Sequence, residues 1–173
     1  IHRSAEKTFD VSQDLIALSQ IPMVVVSAGA KAVLDLPKTL ETLEALGVPI
    51  LGFETNEFPA FYSRNSGLCA LLRIESPGEA AYVYRKNIEA GLGTSTLVVN
   101  PVPEKDEIPN NEIENITCGA IKYALEKKIK GKDLTPFLLQ EIVKMTGGRS
   151  LKTNKALAIN NVNLGIQISK ELS

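Results

Sequence analysis

Along the chain, short unbroken apolar runs alternate with longer segments whose apolar positions recur every three or four residues, the rhythm of strands and helices in an α/β sheet. Met23 to Val26 is such a run, rich in β-branched residues and preceded by Pro22, which predicts a strand covered on both faces by helices. A helix from about Pro37 to Leu46 carries Leu40, Leu43 and Leu46 on one stripe and is stopped by Gly47. Val48–Phe53, Cys69–Ile74 and Thr96–Asn100 read as further strands, the last closed by Pro101-Val102-Pro103. Ser76-Pro77-Gly78-Glu79 has the form of a capping box with proline at the first helical position and predicts a helix to about Ala90. The acidic, proline-bearing stretch from Pro103 to Asn111 reads as a solvated connection. Helices over about Asn111–Lys128 and Phe137–Met145, and a last one reaching Leu172, complete the pattern. The expectation is a three-layer α/β/α fold with a largely parallel or mixed sheet, in a single domain over residues 1–173.

Charge and cysteine content narrow the function classes. The 19 basic and 20 acidic residues nearly cancel, which gives no electrostatic reason to expect a nucleic-acid or membrane partner. Cys69 and Cys118 are far apart and in no metal-ligand spacing, which argues against a disulfide framework and a zinc site and for a reducing, cytoplasmic setting. No run reaches the ~18 apolar residues of a membrane-spanning helix. Ile1-His2-Arg3-Ser4-Ala5-Glu6 has neither a helix start nor a polar tail, so an amino-terminal portion is expected to be missing and the sheet to be incomplete without it. With His2 the only histidine, no Ser/His/Asp triad is legible.

Candidate chemistry gathers around Lys31. It follows the first strand and the small-residue turn Ser27-Ala28-Gly29-Ala30, and the carboxyl ends of parallel strands are where open α/β sheets bind ligands. A lysine held there against apolar walls loses hydration of its charged form, which favours the neutral, nucleophilic amine of Schiff-base chemistry. The same position also suits an ordinary surface lysine. Asp10, Ser12 and Asp14 crowd oxygens around the start of a helix, where they fit either a hard cation such as magnesium or manganese or simple capping and dipole complementarity. Asn100 ends a strand on the crevice side if the sheet is parallel. The loop from Glu54 to Gly67 has no period; Phe58, Phe61 and Tyr62 read as core filling beneath it, and Arg64 as a partner for a phosphate or a surface acid. Gly147-Gly148 precedes a helix read as capped by Ser150, whose free N–H groups, with Arg149 or Lys152, would suit an anion; a plain turn between helices fits as well. Asn154, Asn160, Asn161 and Asn163 sit in the final helix against their propensity, for specific hydrogen bonds or for inter-helix ones. The cluster Lys127 to Lys132 reads as complementing a helix dipole.

From His2 to Leu15, and at Ala28-Gly29-Ala30-Lys31, Gly47-Val48-Pro49, Asn100 to Glu104, Thr135 to Leu139, Thr146 to Leu151 and Asn160-Asn161, the chain closely resembles the pseudouridine-5′-phosphate glycosidases, also called indigoidine-synthase-A-like proteins. The resemblance runs end to end in consistent order. It implies an enzyme that reversibly cleaves the C–C glycosidic bond of pseudouridine 5′-phosphate to uracil and ribose 5-phosphate, using Mn2+ or another divalent metal. On the matching positions it implies Lys31 as the imine-forming lysine, Asp10 as the metal ligand, and Ser12, Gln13, Asp14 and Asn154 as substrate-binding residues. It implies an α/β protein that assembles as a homotrimer. The family's general-acid glutamate and a further substrate-binding lysine belong to a region preceding the segment that matches Ile1, and nothing in the motif transfers the acid's role to Glu6. This chain is therefore expected to be one piece of the enzyme and to need its missing part for turnover. Some lineages fuse the family to a sugar kinase, of which no signature is visible here.

The chemistry agrees with that implication. A C–C bond to C1′ lacks a good leaving group, which suits two-carboxylate hydrolysis poorly. Opening the sugar and making an iminium at C1′ supplies an electron sink beside the bond. The alternatives carried forward are a Schiff-base lyase or aldolase acting on another sugar phosphate, and a non-catalytic assembly fragment.

Overall fold

The structure, a computed structural model, describes residues 1–3, 5, 9–31, 33–70, 72–129 and 133–173. Glu6, Lys130 and Lys132 lie outside the described residues. In chain order the elements are α1 (Asp14–Gln20), β1 (Val24–Ser27), α2 (Leu36–Ala45), β2 (Ile50–Phe53), β3 (Leu72–Ile74), α3 (Pro77–Glu89), β4 (Thr96–Val99), a 3-10 turn (Glu104–Asp106), α4 (Asn110–Glu126), α5 (Leu134–Met145) and α6 (Arg149–Leu172). The strands form one sheet in the order β1-β4-β2-β3, parallel at every pairing.

Strand alternation assigns the two faces. Ile50, Leu97 and Val99 pack with Leu15 of α1 and Leu36 and Leu43 of α2, whereas Leu51, Ile74 and Val98 pack with Ala80 of α3 and Leu164 and Ile168 of α6. The result is the expected three-layer α/β/α arrangement. Each fully buried aliphatic side chain in these layers, Ile50, Leu51 and Val98 among them, contributes about 1.5–3 kcal/mol. A third cluster joins α4 and α5 (Ile113, Ala120, Ala124, Leu138, Ile142) to Val33, Tyr62 and Ile108. Those last three lie on segments that leave the carboxyl ends of β1, β2 and β4, so the α4–α5 pair is anchored beside that end of the sheet.

Local chemistry sets the element ends. Asp35 caps α2 by accepting the Lys38 N–H at 3.1 Å, and α2 closes on Gly47 with the Val48 N–H bonded to the Leu43 carbonyl. Ser76 caps α3 by accepting the Glu79 N–H, while the Glu79 carboxylate reaches back to the Glu75 N–H at 2.8 Å, one residue before the cap.

The cover expected on both faces of β1 is present but thin. The strand is a sheet edge, and all four of its residues are half-buried. Val24 and Val26 pack toward α6, and Val25 on the opposite face packs against the cluster that holds Leu15 of α1 while also lining a cavity. An unbroken apolar run specifies two apolar faces and does not specify what covers each.

Candidate active site

The turn after β1 is dictated by backbone space. Gly29 has φ +79°, and a Cβ there would lie 1.8 Å from the Pro59 carbonyl oxygen, so only glycine fits. Gly29 pairs with Ala60 in an isolated antiparallel bridge, and the Phe61 N–H donates to the Ala28 carbonyl at 3.0 Å. The turn and the loop after β2 are thereby locked together, and Lys31 emerges half-buried between two cavities.

The larger cavity, about 670 Å3, is lined by Lys31 together with Asp10, Ser12 and Asp14 and by an apolar wall that includes Leu15, Val25 and Phe58. The smaller, about 420 Å3, joins Lys31 to Tyr62, Gln140, Ser150 and Asn154. Lys31 and Phe61 line both, so the two spaces meet at that pair. Of the residues implied by the resemblance, Lys31 is thus brought together with Asp10, Ser12 and Asp14 on one side and with Asn154 on the other. Gln13 is exposed at the start of α1 and lines neither space.

The Lys31 Nζ lies 5.7 Å from the centroid of the Phe61 ring and forms no ion pair among the described residues. Ser12 accepts the Asp14 N–H at 3.2 Å in a local turn just before α1; the helix begins at Asp14 with Gln13 at the cap position and no side-chain capping bond, so Ser12 is not its cap. His2 is buried beside the larger cavity, its Nε2 2.9 Å from the Thr135 hydroxyl. Burial pushes the Tyr62 phenol above its ordinary value.

The donor set of the larger cavity tests the fit of a metal. Asp10, Ser12 and Asp14 offer only oxygen, and among the described residues no three metal-ligating side chains converge. That combination suits a hard cation that keeps most of its waters and leans on few carboxylates; it does not suit a zinc site.

Other candidates turn out to be structural. Asn100 donates to the Asn161 side-chain carbonyl at 3.1 Å, and Asn160 donates to the Pro101 carbonyl at 3.1 Å; together they pin α6 to the end of β4. Arg64 donates to the Val102 carbonyl at 2.7 Å. The anion cradle expected at Gly147-Gly148 is not built. Ser150 does not cap α6: its N–H donates to the Thr146 hydroxyl, Arg149 N–H bonds the Thr146 carbonyl, and the Leu151 and Lys152 N–H groups bond the Gly148 carbonyl. The Arg149 guanidinium is paired with Glu112, and Lys152 sits 3.4 Å from Asp106. With those donors satisfied, the two glycines serve the turn, Gly148 N–H closing α5 on the Val143 carbonyl.

Phe61 is the residue whose place the sequence did not reveal. It packs against two core clusters beneath the loop, as expected, but it is half-buried with φ +65° and its ring also meets Lys31. The only trace in the sequence is Gly29, a sign that some backbone approaches the lysine turn closely.

Fold and site together define an open parallel α/β protein with a ligand crevice at the carboxyl ends of its strands and an amine set into that crevice. The chain belongs to the indigoidine synthase A-like protein family, whose sequence profile matches residues 1–171. It is 50% identical over 172 residues to the pseudouridine-5′-phosphate glycosidase of Methylobacterium nodulans, covering 99% of this chain and 51% of that protein. It is 49% identical to the pseudouridine-5′-phosphate glycosidase of Mesorhizobium japonicum, covering 99% of this chain and 56% of that one. Among solved structures it resembles a prealnumycin C-glycosynthase in complex with ribulose 5-phosphate (TM-score 0.94, 28% identity, 99% of this chain and 57% of that one). It also resembles an indigoidine synthase A-like protein from Thermotoga maritima (TM-score 0.81, 45% identity, 94% of this chain and 54% of that one). The chain therefore spans about half the length of the curated relatives it matches.

Proposed function

We propose that this chain forms the lysine-bearing part of a pseudouridine-5′-phosphate glycosidase, which reversibly cleaves the C–C glycosidic bond of pseudouridine 5′-phosphate to give uracil and ribose 5-phosphate. The observation that carries the reading is the position of Lys31, shared by a cavity lined with carboxylate and hydroxyl oxygens and a second cavity lined by Asn154. The glycosidase names of the relatives and the C-glycosynthase with its bound pentulose phosphate support the same class of chemistry.

In the bond-forming direction the Lys31 amine adds to the C1′ aldehyde of opened ribose 5-phosphate and water leaves. The resulting iminium accepts the electron pair of uracil C5, which then loses its proton, and O4′ displaces the lysine nitrogen from C1′ as the sugar ring closes. In cleavage the Lys31 amine bonds to C1′ as the C1′–O4′ bond breaks and O4′ takes up a proton; the nitrogen lone pair then expels the base as C5 takes a proton from a general acid, and water hydrolyses the iminium, freeing Lys31 and ribose 5-phosphate. Ser12 and Asp14, which line the larger cavity, bind substrate at the start of α1, and Asn154 binds it from α6. Asp10 would hold a largely hydrated divalent cation such as Mn2+, which when bound supplies charge neutralisation and Lewis-acid polarisation. In this proposal the working enzyme is a cytoplasmic homotrimer, completed by the rest of the family's length, which carries the general acid.

The test is uracil release from pseudouridine 5′-phosphate by the whole protein that carries this chain, with Mn2+. Wild type is expected to release uracil and Lys31→Met to lose at least about 10³-fold in kcat, the scale of removing a covalent nucleophile. Imine formation with sugar phosphates but no uracil release would identify a lyase of another sugar phosphate. Neither would identify an assembly fragment.

A further inference from the structure

Phe61 occupies a backbone conformation that its side chain disfavours. Its φ of +65° lies in the left-handed region, which costs a bulky residue on the order of 1–3 kcal/mol and persists only where the surroundings enforce it. Enforcement is visible on both sides. The Phe61 N–H is bonded to the Ala28 carbonyl, the Tyr62 N–H to the Ala60 carbonyl, and the Ala60 N–H to the Ser63 carbonyl, a tight turn with Phe61 at its tip. The Gly29–Ala60 bridge and the Pro59 carbonyl pressed onto Gly29 fix that tip against the lysine turn. The ring itself is held edge-on by Tyr62, centroids 4.9 Å apart at 89°. Glycine or asparagine would relieve that backbone, whereas phenylalanine places a ring facing the Lys31 Nζ at the junction of the two cavities.

We propose that Phe61 is the positioning residue of Lys31: its ring face holds the lysine nitrogen in place whenever that nitrogen is cationic, above all as the iminium in the reaction. The inference rests on the reading of Lys31 as the imine-forming amine. When an ammonium Nζ condenses with the C1′ aldehyde, the carbonyl oxygen leaves as water with two of the three nitrogen protons, no net proton is taken up and the iminium nitrogen keeps the positive charge. The interaction of charge with the ring therefore survives the step, and the C1′ carbon is held at the junction between the cavities. Electrostatic attraction of this kind operates within about 6 Å of a ring centroid, the range in which Nζ lies.

The experiment compares Phe61→Leu and Phe61→Met, which remove the π face, with Phe61→Tyr and Phe61→Trp, which keep it, in the whole protein with Mn2+. None is β-branched, so the backbone cost at this φ is similar throughout, and thermal unfolding of each variant separates stability from function. Leu and Met are expected to lower kcat for uracil release by about three- to tenfold with KM within about twofold, and Tyr and Trp to keep kcat within about twofold of wild type. Wild-type kcat in the Leu and Met variants, equal losses in all four, or a change confined to KM, as a ring that stacks on the base would give, overturns the proposal. Borohydride reduction of wild type with ribose 5-phosphate separates the two readings: an adduct on Lys31 together with unaltered Leu and Met variants refutes the role of Phe61 alone. Absence of that adduct refutes the reading of Lys31, and the role of Phe61 with it.

Discussion

Lys31 owes its place to a residue with no side chain. Because a Cβ on Gly29 would sit 1.8 Å from a backbone oxygen and φ is +79°, Gly29→Ala must move either the lysine turn or the loop bearing Phe61. It is expected to destabilise the fold by at least about 2 kcal/mol, read as a lowered midpoint in urea unfolding, from steric overlap added to backbone strain. Thr117 gives the opposite case. It is fully buried on α4, and its hydroxyl is the one buried side-chain polar atom without a partner among the described residues. Thr117→Val keeps the shape and removes the stranded group, so equilibrium unfolding should show a stability equal to wild type or higher by up to about 1–2 kcal/mol.

At the scale of elements, most of the fold was legible because the signals were local. Ser76 with Pro77, and Gly47, act within one turn of the backbone, and the helices they bound begin and end within a residue or two of the expected positions. Ser76→Ala should accordingly cost about 1 kcal/mol in urea unfolding, by freeing the Glu79 N–H from its acceptor. What depends on contact between distant segments was not legible. Gly147-Gly148 resembles an anion cradle in sequence, yet the Thr146 side chain and carbonyl and the Gly148 carbonyl already take the N–H groups that would have made one. The polar positions Asn100, Asn160 and Asn161 were identifiable as special, but their role in fastening α6 to β4 needed the three-dimensional pairing. Phe61 differs from Phe58 only by where the loop turns, and its left-handed backbone has no composition signature.

Across the whole molecule, the segment before α1 is tied to α4 by the two-bond contact of Arg3 with Glu114, both at 2.9 Å. Those hydrogen bonds from the guanidinium, with its charge, hold the Glu114 carboxyl below the usual carboxylate range against the opposing effect of burial. A depressed folded value adds stability that is fully present above the usual carboxylate range and is lost as pH falls through the folded value. Urea midpoints measured from neutral pH downward should therefore fall less steeply through the acid range in Glu114→Gln than in wild type. The same tie sets the segment carrying Asp10 beside the turn carrying Lys31, and the Arg3 Nε also donates to the Leu34 carbonyl at 3.4 Å. The sheet, its edge strand β1 and the two cavities converge on one amine, that of Lys31, which the proposed function uses as the nucleophile toward an opened pentose. The most direct test is borohydride reduction of the whole protein with ribose 5-phosphate and Mn2+, followed by peptide mass spectrometry. A reduced pentose phosphate adduct on Lys31 is the predicted result; an adduct on any other lysine, or none, would contradict the account.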